Sequence, residues 1–351
     1  MKGKIRHSLR IIPCLLFAVL ILATSCGGTG TTSGETIELK FATYNPPMGT
    51  VYEQMFTPWA QEIEERTDGR VKITFYPGES LAKAPDLYDA VLTGAADIVW
   101  TDPSFTPGVF PRSEITVQPM LYPSAEVAGD VMWRLIEKYM LDTEYQNVKV
   151  LWVTPLASMQ VWTSNKQVTT LEDMEGMKFA AQTPVVASIL EALGAVPTVM
   201  AEPEIYGALE RGLVEGRIAE PELAWVFSSY DVTKYRTFGL DLGFNVGITL
   251  MNQDTWNSLP KDIQDIFTET TGRDFSIQCG KLMDDAAKIF EGLIKEADAA
   301  AGNPDFYIVS AAEKARWEAS LEPVVVNWAA QKEADGIPAE DMLADAYAWI
   351  E

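Results

Sequence analysis

The chain has 351 residues, of which 50 are acidic and 27 basic, and its formal net charge is −23. The length allows about two domains of ordinary size. A hydrophobic content of 47% with 22% charged residues is typical of a soluble globular protein. This composition argues against a disordered chain or a polytopic membrane protein. The acidic surplus argues against sequence-independent binding of nucleic acid, which requires a basic face.

The first 25 residues have the pattern of an export signal. Four basic residues precede an apolar run over 11–23 that only Pro13 interrupts. The run is too short to span a bilayer comfortably and is typical of a signal peptide. It ends in small residues followed directly by Cys26, which resembles a bacterial lipobox. We therefore predict that residues 1–25 are removed and that Cys26 is lipidated; the alternative is an ordinary secretory signal cleaved nearby.

The next segment predicts a tether to a membrane. Residues 27–35 contain only Gly, Thr, Ser and one Glu, so we expect residues 26–36 to be flexible. With a lipid on Cys26, this tether would hold a folded domain at the extracytoplasmic face of the cytoplasmic membrane, in a periplasm or at a cell surface.

The small number of histidines and cysteines limits the kinds of catalytic and metal site that the chain can form. The sole histidine, His7, lies in the predicted signal peptide, so the mature chain would have none. That excludes Ser-His-Asp and Cys-His catalysis and metal sites with imidazole ligands, and we predict neither a metal nor a cofactor. Cys279 would be the only unmodified cysteine left, and we interpret it as a small buried hydrophobe rather than a reactive thiol.

The first part of the folded region alternates strands and helices. The pattern predicts strands over 37–43, 71–76 and 96–100, with helices over 51–66 and 85–93. Such alternation is typical of an α/β domain with a largely parallel sheet.

A second α/β unit follows, and then helices. After a helix that Ser124 caps, we predict strands over 148–154, 160–164, 177–181, 197–200 and 248–252, and helices over 184–193 and 203–211. From Phe275 onward the pattern is helical except over 306–309. This order predicts a lobe I over 37–157 and about 242–275, and a lobe II over 158–241 and about 276–351. Ligands of such sheets bind in the cleft beyond the carboxyl ends of the strands.

Several motifs carry a family resemblance. ERTDGRVKITFYP at 65–77 is followed by LTGAADI at 92–98 and LEDMEGMK at 171–178. Further along the chain come ALGAVP at 192–197, EIYGAL at 204–209, GLVEG at 212–216 and WNSLP at 256–260, in the order in which the family has them. Together, behind a lipobox, these stretches resemble the solute-binding subunit of TRAP transporters, the DctP-like family. The resemblance runs from about residue 37 to residue 345.

The resemblance implies a fold and a role. The fold is two mixed, mostly parallel sheets flanked by helices, with crossing strands, a long hinge helix and a helical C-terminus. The lobes would close over a small organic solute, usually a carboxylate, and deliver it unchanged to the TRAP permease subunits in the membrane. The protein would then be a transport receptor and not an enzyme.

The departures from the family pattern bear on the ligand. Family members carry a carboxylate-binding arginine at the position of Ala180, often a basic residue at that of Gln160, and an asparagine near Ala219. An arginine fork gives a carboxylate two charge-assisted hydrogen bonds. Either Arg217 or Lys83 takes over this clamp, or the ligand is less anionic and is held by aromatic stacking and amide hydrogen bonds. We favour the second explanation.

Candidate pocket residues follow the ends of the predicted strands. Asp102, Glu202 and Glu220 together favour a cationic or hydroxyl-rich ligand. A purely structural role is the alternative for each candidate. Trp100 would be a core residue, Glu202 would stabilise a helix N-terminus, and Arg217 would be a solvated surface residue. The remaining candidates are Tyr44, Asn45, Thr101, Gln160, Trp162, Gln182 and Thr183.

Two other functions stay open at this point. One is a ligand sensor for a membrane signalling protein, which the sequence does not separate from a transport receptor. The other is a secreted hydrolase that uses paired carboxylates, such as a glycosidase, although no spacing points to a particular pair.

Overall fold

The computed structural model describes residues 36–240, 242–304 and 306–350. The predicted signal peptide, the lipidation site Cys26 and most of the tether lie outside these residues. The strands are β1 Ile37–Thr43, β2 Val71–Tyr76, β3 Ile98–Thr101, β4 Val148–Ser158, β5 Gln160–Thr163, β6 Lys178–Ala181, β7 Val196–Val199, β8 Gly216–Ala219, β9 Tyr235–Phe238, β10 Phe244–Asn252 and β11 Tyr307–Ile308.

Helices connect and flank these strands. They are α1 Thr57–Arg66, α2 Leu87–Leu92, α3 Ala125–Tyr139, α4 Pro184–Ala192, α5 Glu202–Glu210, α6 Pro221–Val226, α7 Gln253–Ser258, α8 Lys261–Glu269, α9 Arg273–Ala301, α10 Ala311–Ala334 and α11 Ala339–Ile350.

The first sheet has the order β2-β1-β3-β10-β4. Strands β1, β2 and β3 are parallel, whereas β10 is antiparallel to both β3 and β4. Because β10 runs in the opposite direction, its first residues lie at the edge where β1 and β3 end. Phe41, Trp59 and Trp152 are buried in the core of this sheet, with ring centroids 4.8 to 6.4 Å apart.

The second sheet has the order β11-β9-β5-β8-β6-β7. Strands β8, β6 and β7 are parallel, and β5 is antiparallel to β8 and β9. One face packs on α4 and α10 through residues such as Phe179, Leu190 and Trp317. The other face is covered by α5, α6 and α9.

The chain crosses between the sheets at two adjacent segments. Strands β4 and β5 are separated only by Met159, and the return crossing lies between β9 and β10. The two crossings are hydrogen-bonded to each other, from the Met159 amide to the Gly243 carbonyl at 3.0 Å and from the Gln160 side chain to the Leu240 carbonyl at 2.9 Å. These short crossings provide a hinge between two lobes.

Helix α9 packs on both lobes. Its 29 residues extend about 43 Å at 1.5 Å per residue. Cys279 and Met283 belong to the core of the first sheet, whereas Ile294 packs with Trp162 of the second. This arrangement confirms the predicted fold class, including the long hinge helix. The exact lobe boundaries stay a prediction, and residues of α10 belong to the cores of both sheets.

Most predicted elements are present with shifted ends. The predicted helix over 51–66 opens as a π-helix over Val51–Phe56 before α1. Strands β4 and β10 are both longer than predicted because they pair with each other along most of their length. The sequence analysis missed β8, β9, α6 and α7. Strand β8 pairs on both sides, and burial of its four residues is a property of the sheet rather than of a local pattern.

None of the helices in the described part of the chain is both long enough and apolar enough to cross a membrane.

Candidate functional site

A cleft lies between the lobes at the carboxyl ends of the strands. Tyr44 follows β1, Asp102 follows β3, Gln182 follows β6 and Glu220 follows β8, and all four line the cleft. Two of the small spaces inside it, of about 30 and 10 Å³, share Tyr44, Leu156 and Leu223 as walls. Each has room for only one or two water molecules, so the lobes are closed and must part to admit a solute.

A buried ion pair stands at the lobe II side of the cleft. The Arg217 guanidinium donates from Nη1 to Glu202 Oε1 at 2.6 Å and from Nη2 to Glu202 Oε2 at 2.7 Å. Neither side chain is more than 3% exposed. This fork-to-fork geometry is the strongest form of arginine–carboxylate contact. It excludes the interpretation of Arg217 as a solvated surface residue.

Strand register explains how Arg217 reaches this position. Ala180 of β6 lies directly opposite Arg217 of β8 in a parallel pair, and Trp162 of β5 lies opposite Arg217 on the other side. Residues opposite each other in a sheet point to the same face. Arg217 therefore extends from the same face as Ala180, one strand away.

Several buried polar atoms in the cleft have no hydrogen-bond partner. They are both side-chain polar atoms of Gln182, Asn45 Nδ2, Glu222 Oε2 and Arg217 Nε. An unsatisfied buried polar group costs about 1–3 kcal/mol, and such groups are rare in folded proteins. Five of the ten such atoms in the described residues belong to these four side chains, where the polar groups of a solute would supply the missing partners.

Burial changes the acid–base behaviour of the cleft. It raises the pKa of Glu220 to about 8, against the opposing effect of Arg217. It raises the pKa of Glu222 to about 7 and that of Asp102 to about 6. It also raises the pKa of Glu202, which the Arg217 guanidinium opposes. The cleft is thus rich in carboxyl groups that take up protons near neutral pH.

Two carboxyl groups contact the other lobe directly. Glu222 Oε1 accepts a hydrogen bond from the Thr50 amide, which lies 172 residues earlier. Glu220 Oε2 accepts one at 3.2 Å from Asn245 Nδ2. Both bonds join lobe II to lobe I, so they hold the closed conformation.

An aromatic wall lines the lobe I side. The rings of Tyr44 and Trp100 lie 5.3 Å apart, and Phe105 packs edge-on against Tyr44. Trp100 lies against Gly247, where an added Cβ would stand 1.9 Å from Trp100 Cζ2. Trp100 is both buried in the core and in contact with the cleft, so the two interpretations of this residue are compatible.

The other predicted site residues have structural contacts. Gln160 bonds the backbone of Leu240 through both ends of its amide, and the Trp162 indole donates to the Ala219 carbonyl at 2.8 Å. Thr183 caps α4. Three further residues are buried without lining the two spaces: Thr101, Ala180 and Ala219.

Lys83 lies apart from the cluster. Its side chain is 69% exposed and pairs with Glu79 on the surface. The structure therefore does not bring Lys83 to the cleft.

Sequence analysis missed ten residues that line the two spaces. Glu222 follows Glu220 by two positions, and Asn245 interrupts the apolar run of β10, which is the only local signal for either. The other eight are apolar or aromatic and have no distinguishing pattern: Met48, Val51, Phe105, Leu156, Leu223, Val226, Phe227 and Met283.

A larger groove lies elsewhere among the described residues, on lobe I. It has a volume of about 970 Å³ and is lined by parts of α1, α3 and α9, among others. None of the buried unpartnered polar atoms belongs to its lining. We therefore take the interlobe cleft as the site.

Two α/β lobes that close over a buried polar cleft define a two-lobed solute-binding protein. The chain belongs to the bacterial extracellular solute-binding protein family 7, the DctP family, whose model matches residues 41–332. It is a family of receptors rather than enzymes, and the solved structures that this chain resembles are TRAP solute-binding proteins.

Three comparisons illustrate the relationship. The C4-dicarboxylate-binding periplasmic protein DctP of Rhodobacter capsulatus is 27% identical over 278 residues, which cover 75% of this chain and 78% of that protein. The ectoine/5-hydroxyectoine-binding periplasmic protein UehA of Ruegeria pomeroyi is 25% identical over 62% of this chain and 63% of its own length. A TRAP solute-binding protein of Rhodoferax ferrireducens, solved with copurified benzoate, has a TM-score of 0.84 and 27% identity, covering 90% of this chain and 98% of that one.

Proposed function

We propose that this chain is the extracytoplasmic receptor of a TRAP transporter, held at the membrane by a lipid on Cys26. It captures a small organic solute by closing its lobes and delivers it to the permease subunits. The family and the two-lobed fold support this role. The unpartnered buried atoms of Gln182, Asn45 and Glu222 support the cleft as the site of capture.

The solute is not a simple carboxylate. One observation carries this part of the proposal: the charge of the Arg217 guanidinium is already paired with Glu202, through hydrogen bonds from Nη1 and Nη2. The other buried arginine of the described residues, Arg236, pairs with Asp298 at 3.0 Å. Among the described residues that line the two spaces, an anionic solute would therefore meet carboxyl groups and no cation. Relatives named for ectoine binding, beside those named for dicarboxylates, are consistent with solutes of different charge in this family.

The solute-contacting residues follow from the same geometry. Tyr44, Asn45 and Trp100 form the lobe I side, and Gln182 and Glu220 the lobe II side. Asp102 contributes a further carboxyl group. Lobe closure brings these groups around the solute, and together they favour a cationic or hydroxyl-rich molecule.

A thermal-shift screen of the soluble mature protein tests the proposal. A solute at one hundred times its Kd stabilises the folded state by about 2.7 kcal/mol, which shifts the midpoint by several degrees. We expect shifts from cationic or hydroxylated solutes, and recovery of the solute chemically unchanged. Tight binding of succinate or another plain dicarboxylate would contradict the proposed solute class. Conversion of the solute into a product would contradict the receptor role.

A further inference from the structure

The carboxyl groups of the cleft are not equivalent. Glu202 is neutralised by Arg217, whereas no ion pair of the described residues includes Glu220 or Glu222. Their side-chain contacts are the interlobe hydrogen bonds from Asn245 and from the Thr50 amide. The Asp102 side chain bonds only to Ser104 and is likewise in no ion pair of the described residues. Any charge complementarity toward a solute must therefore come from Glu220, Glu222 and Asp102, and of these only the two glutamates line the same space.

These two glutamates share one space with an aromatic wall. Both line the 30 Å³ cavity, together with Tyr44 and Trp100. Oε2 of Glu222 is buried and has no partner in that cavity. Apart from Asn45, the remaining lining residues are apolar or aromatic.

A cation over an aromatic face gains electrostatic energy, and more so where water is excluded. Carboxylates next to such rings add charge-assisted hydrogen bonds to an N–H donor. A sugar would need hydrogen-bond partners around its whole ring, which the apolar lining does not supply. A metal ion is also a poor match, since the described residues include no group of three or more His, Cys, Asp or Glu side chains that could hold one.

We infer that the solute is an organic cation with an apolar body, its ammonium or amidinium group between Glu220 and Glu222 and its body against Tyr44 and Trp100. This inference rests on the proposed receptor function and narrows its solute class. Glu202 then has a separate task, which is to keep Arg217 neutralised close to the bound cation.

Three molecules of nearly the same shape test the charge requirement. Benzamidinium is a cation, benzamide is neutral and benzoate is an anion. We expect calorimetry on the wild-type protein to show binding in the order benzamidinium, then benzamide, with benzoate not bound. Choline serves as a second cation with a different body. Preference for benzamide or benzoate, or failure of both cations to bind, would overturn the inference.

Variants locate the cation. Glu220→Gln and Glu222→Gln keep the side-chain shape and remove the charge, and each should weaken benzamidinium binding at least about tenfold. Glu210→Gln, on the exposed face of α5, should leave it unchanged. Circular dichroism confirms that each variant is folded. Equal binding by wild type and both cleft variants would contradict the assigned position of the cation.

Failure of this inference is distinguishable from failure of the proposed function. If only neutral hydroxylated solutes bind and close the lobes, the receptor role stands and the cation site is wrong. If no solute of any charge binds, the receptor role itself is wrong.

Discussion

Ala180 and Arg217 lie directly opposite each other on the parallel strands β6 and β8. The family resemblance predicts a carboxylate-binding arginine at the position of Ala180, and the register puts another arginine one strand away on the same face. In the predicted family arrangement the arginine is free to bind the solute. In this chain Glu202 accepts two hydrogen bonds from the Arg217 guanidinium. Glu202 thus occupies the place where a solute carboxylate would pair with Arg217.

The first prediction concerns Glu202→Ala. Removal of one partner from a buried ion pair leaves an uncompensated charge and should lower the free energy of unfolding by about 3–5 kcal/mol. The truncation also opens space beside a free guanidinium. Acetate should therefore bind this variant and, at one hundred times its Kd, restore about 2.7 kcal/mol. Thermal unfolding with and without acetate measures both effects.

Two controls test whether the loss of stability and its rescue by acetate depend on the Arg217 guanidinium. Glu210→Ala removes an exposed glutamate from the same helix and should show neither the loss nor the rescue. Sodium chloride at matched ionic strength should not replace acetate. If acetate stabilised the wild-type protein as strongly as the variant, Glu202 would not be what prevents carboxylates from binding.

The second prediction concerns pH. Glu220, Glu222 and Asp102 have pKa values raised from 4.5, 4.5 and 3.8 to about 8, 7 and 6. The empty folded state therefore binds protons more tightly than the unfolded chain. Their contribution to stability is complete below the unfolded pKa values and is lost as the pH rises through the folded ones. The free energy of unfolding should fall between about pH 5 and pH 8, measured by urea denaturation.

Affinity should change in the opposite direction. Glu220 faces Arg217, Glu202 and Asn245, and Glu222 faces Thr50 and Glu53. A cation is held by the ionised forms of both groups, so benzamidinium affinity should rise from pH 6 to pH 8. A solute carboxylate bound by the protonated forms would instead lose affinity over that range. The slope of log Kd against pH distinguishes these cases.

The sequence predicted the order of strands and helices well because alternation and helix ends are local properties. It also placed Tyr44, Asp102 and Gln182 at strand ends, where the structure finds them lining one cleft. The same local patterns do not encode which strands are neighbours. The pairing of Ala180 with Arg217 depends on the order β8-β6-β7, so the burial of Arg217 was not predictable.

Local sequence patterns also could not predict the contacts between the lobes. Glu222 reaches the Thr50 amide across 172 residues of sequence, and Asn245 reaches Glu220 only because β10 returns to lobe I. Both contacts are set by the crossing segments.

The third prediction concerns the support beneath Trp100. In Gly247→Ala the new methyl group would overlap the indole at 1.9 Å from Cζ2, so the ring must move toward the cleft. Overpacking of this kind costs about 1–3 kcal/mol, and the displaced ring should weaken solute binding. Gly292→Ala, in α9 with open space around its Cα, should be neutral or slightly stabilising. Calorimetry and thermal unfolding of both variants test this, and unchanged binding by Gly247→Ala would show that Trp100 does not contact the solute.

The fourth prediction concerns the membrane anchor at Cys26, which lies outside the described residues. Lipidation of this cysteine would place the wild-type protein in the membrane fraction, and Cys26→Ser should move nearly all of it to the soluble extracytoplasmic fraction. Stable anchoring takes more than one acyl chain, so metabolic labelling with a fatty acid should mark the wild type and not the variant.

Cys279→Ala changes a fully buried thiol in α9 and should keep both the label and the membrane location. Solute affinity should be equal in all three proteins, because the tether is separate in sequence from the cleft. An unlabelled, soluble wild-type protein would instead indicate an ordinary secretory signal.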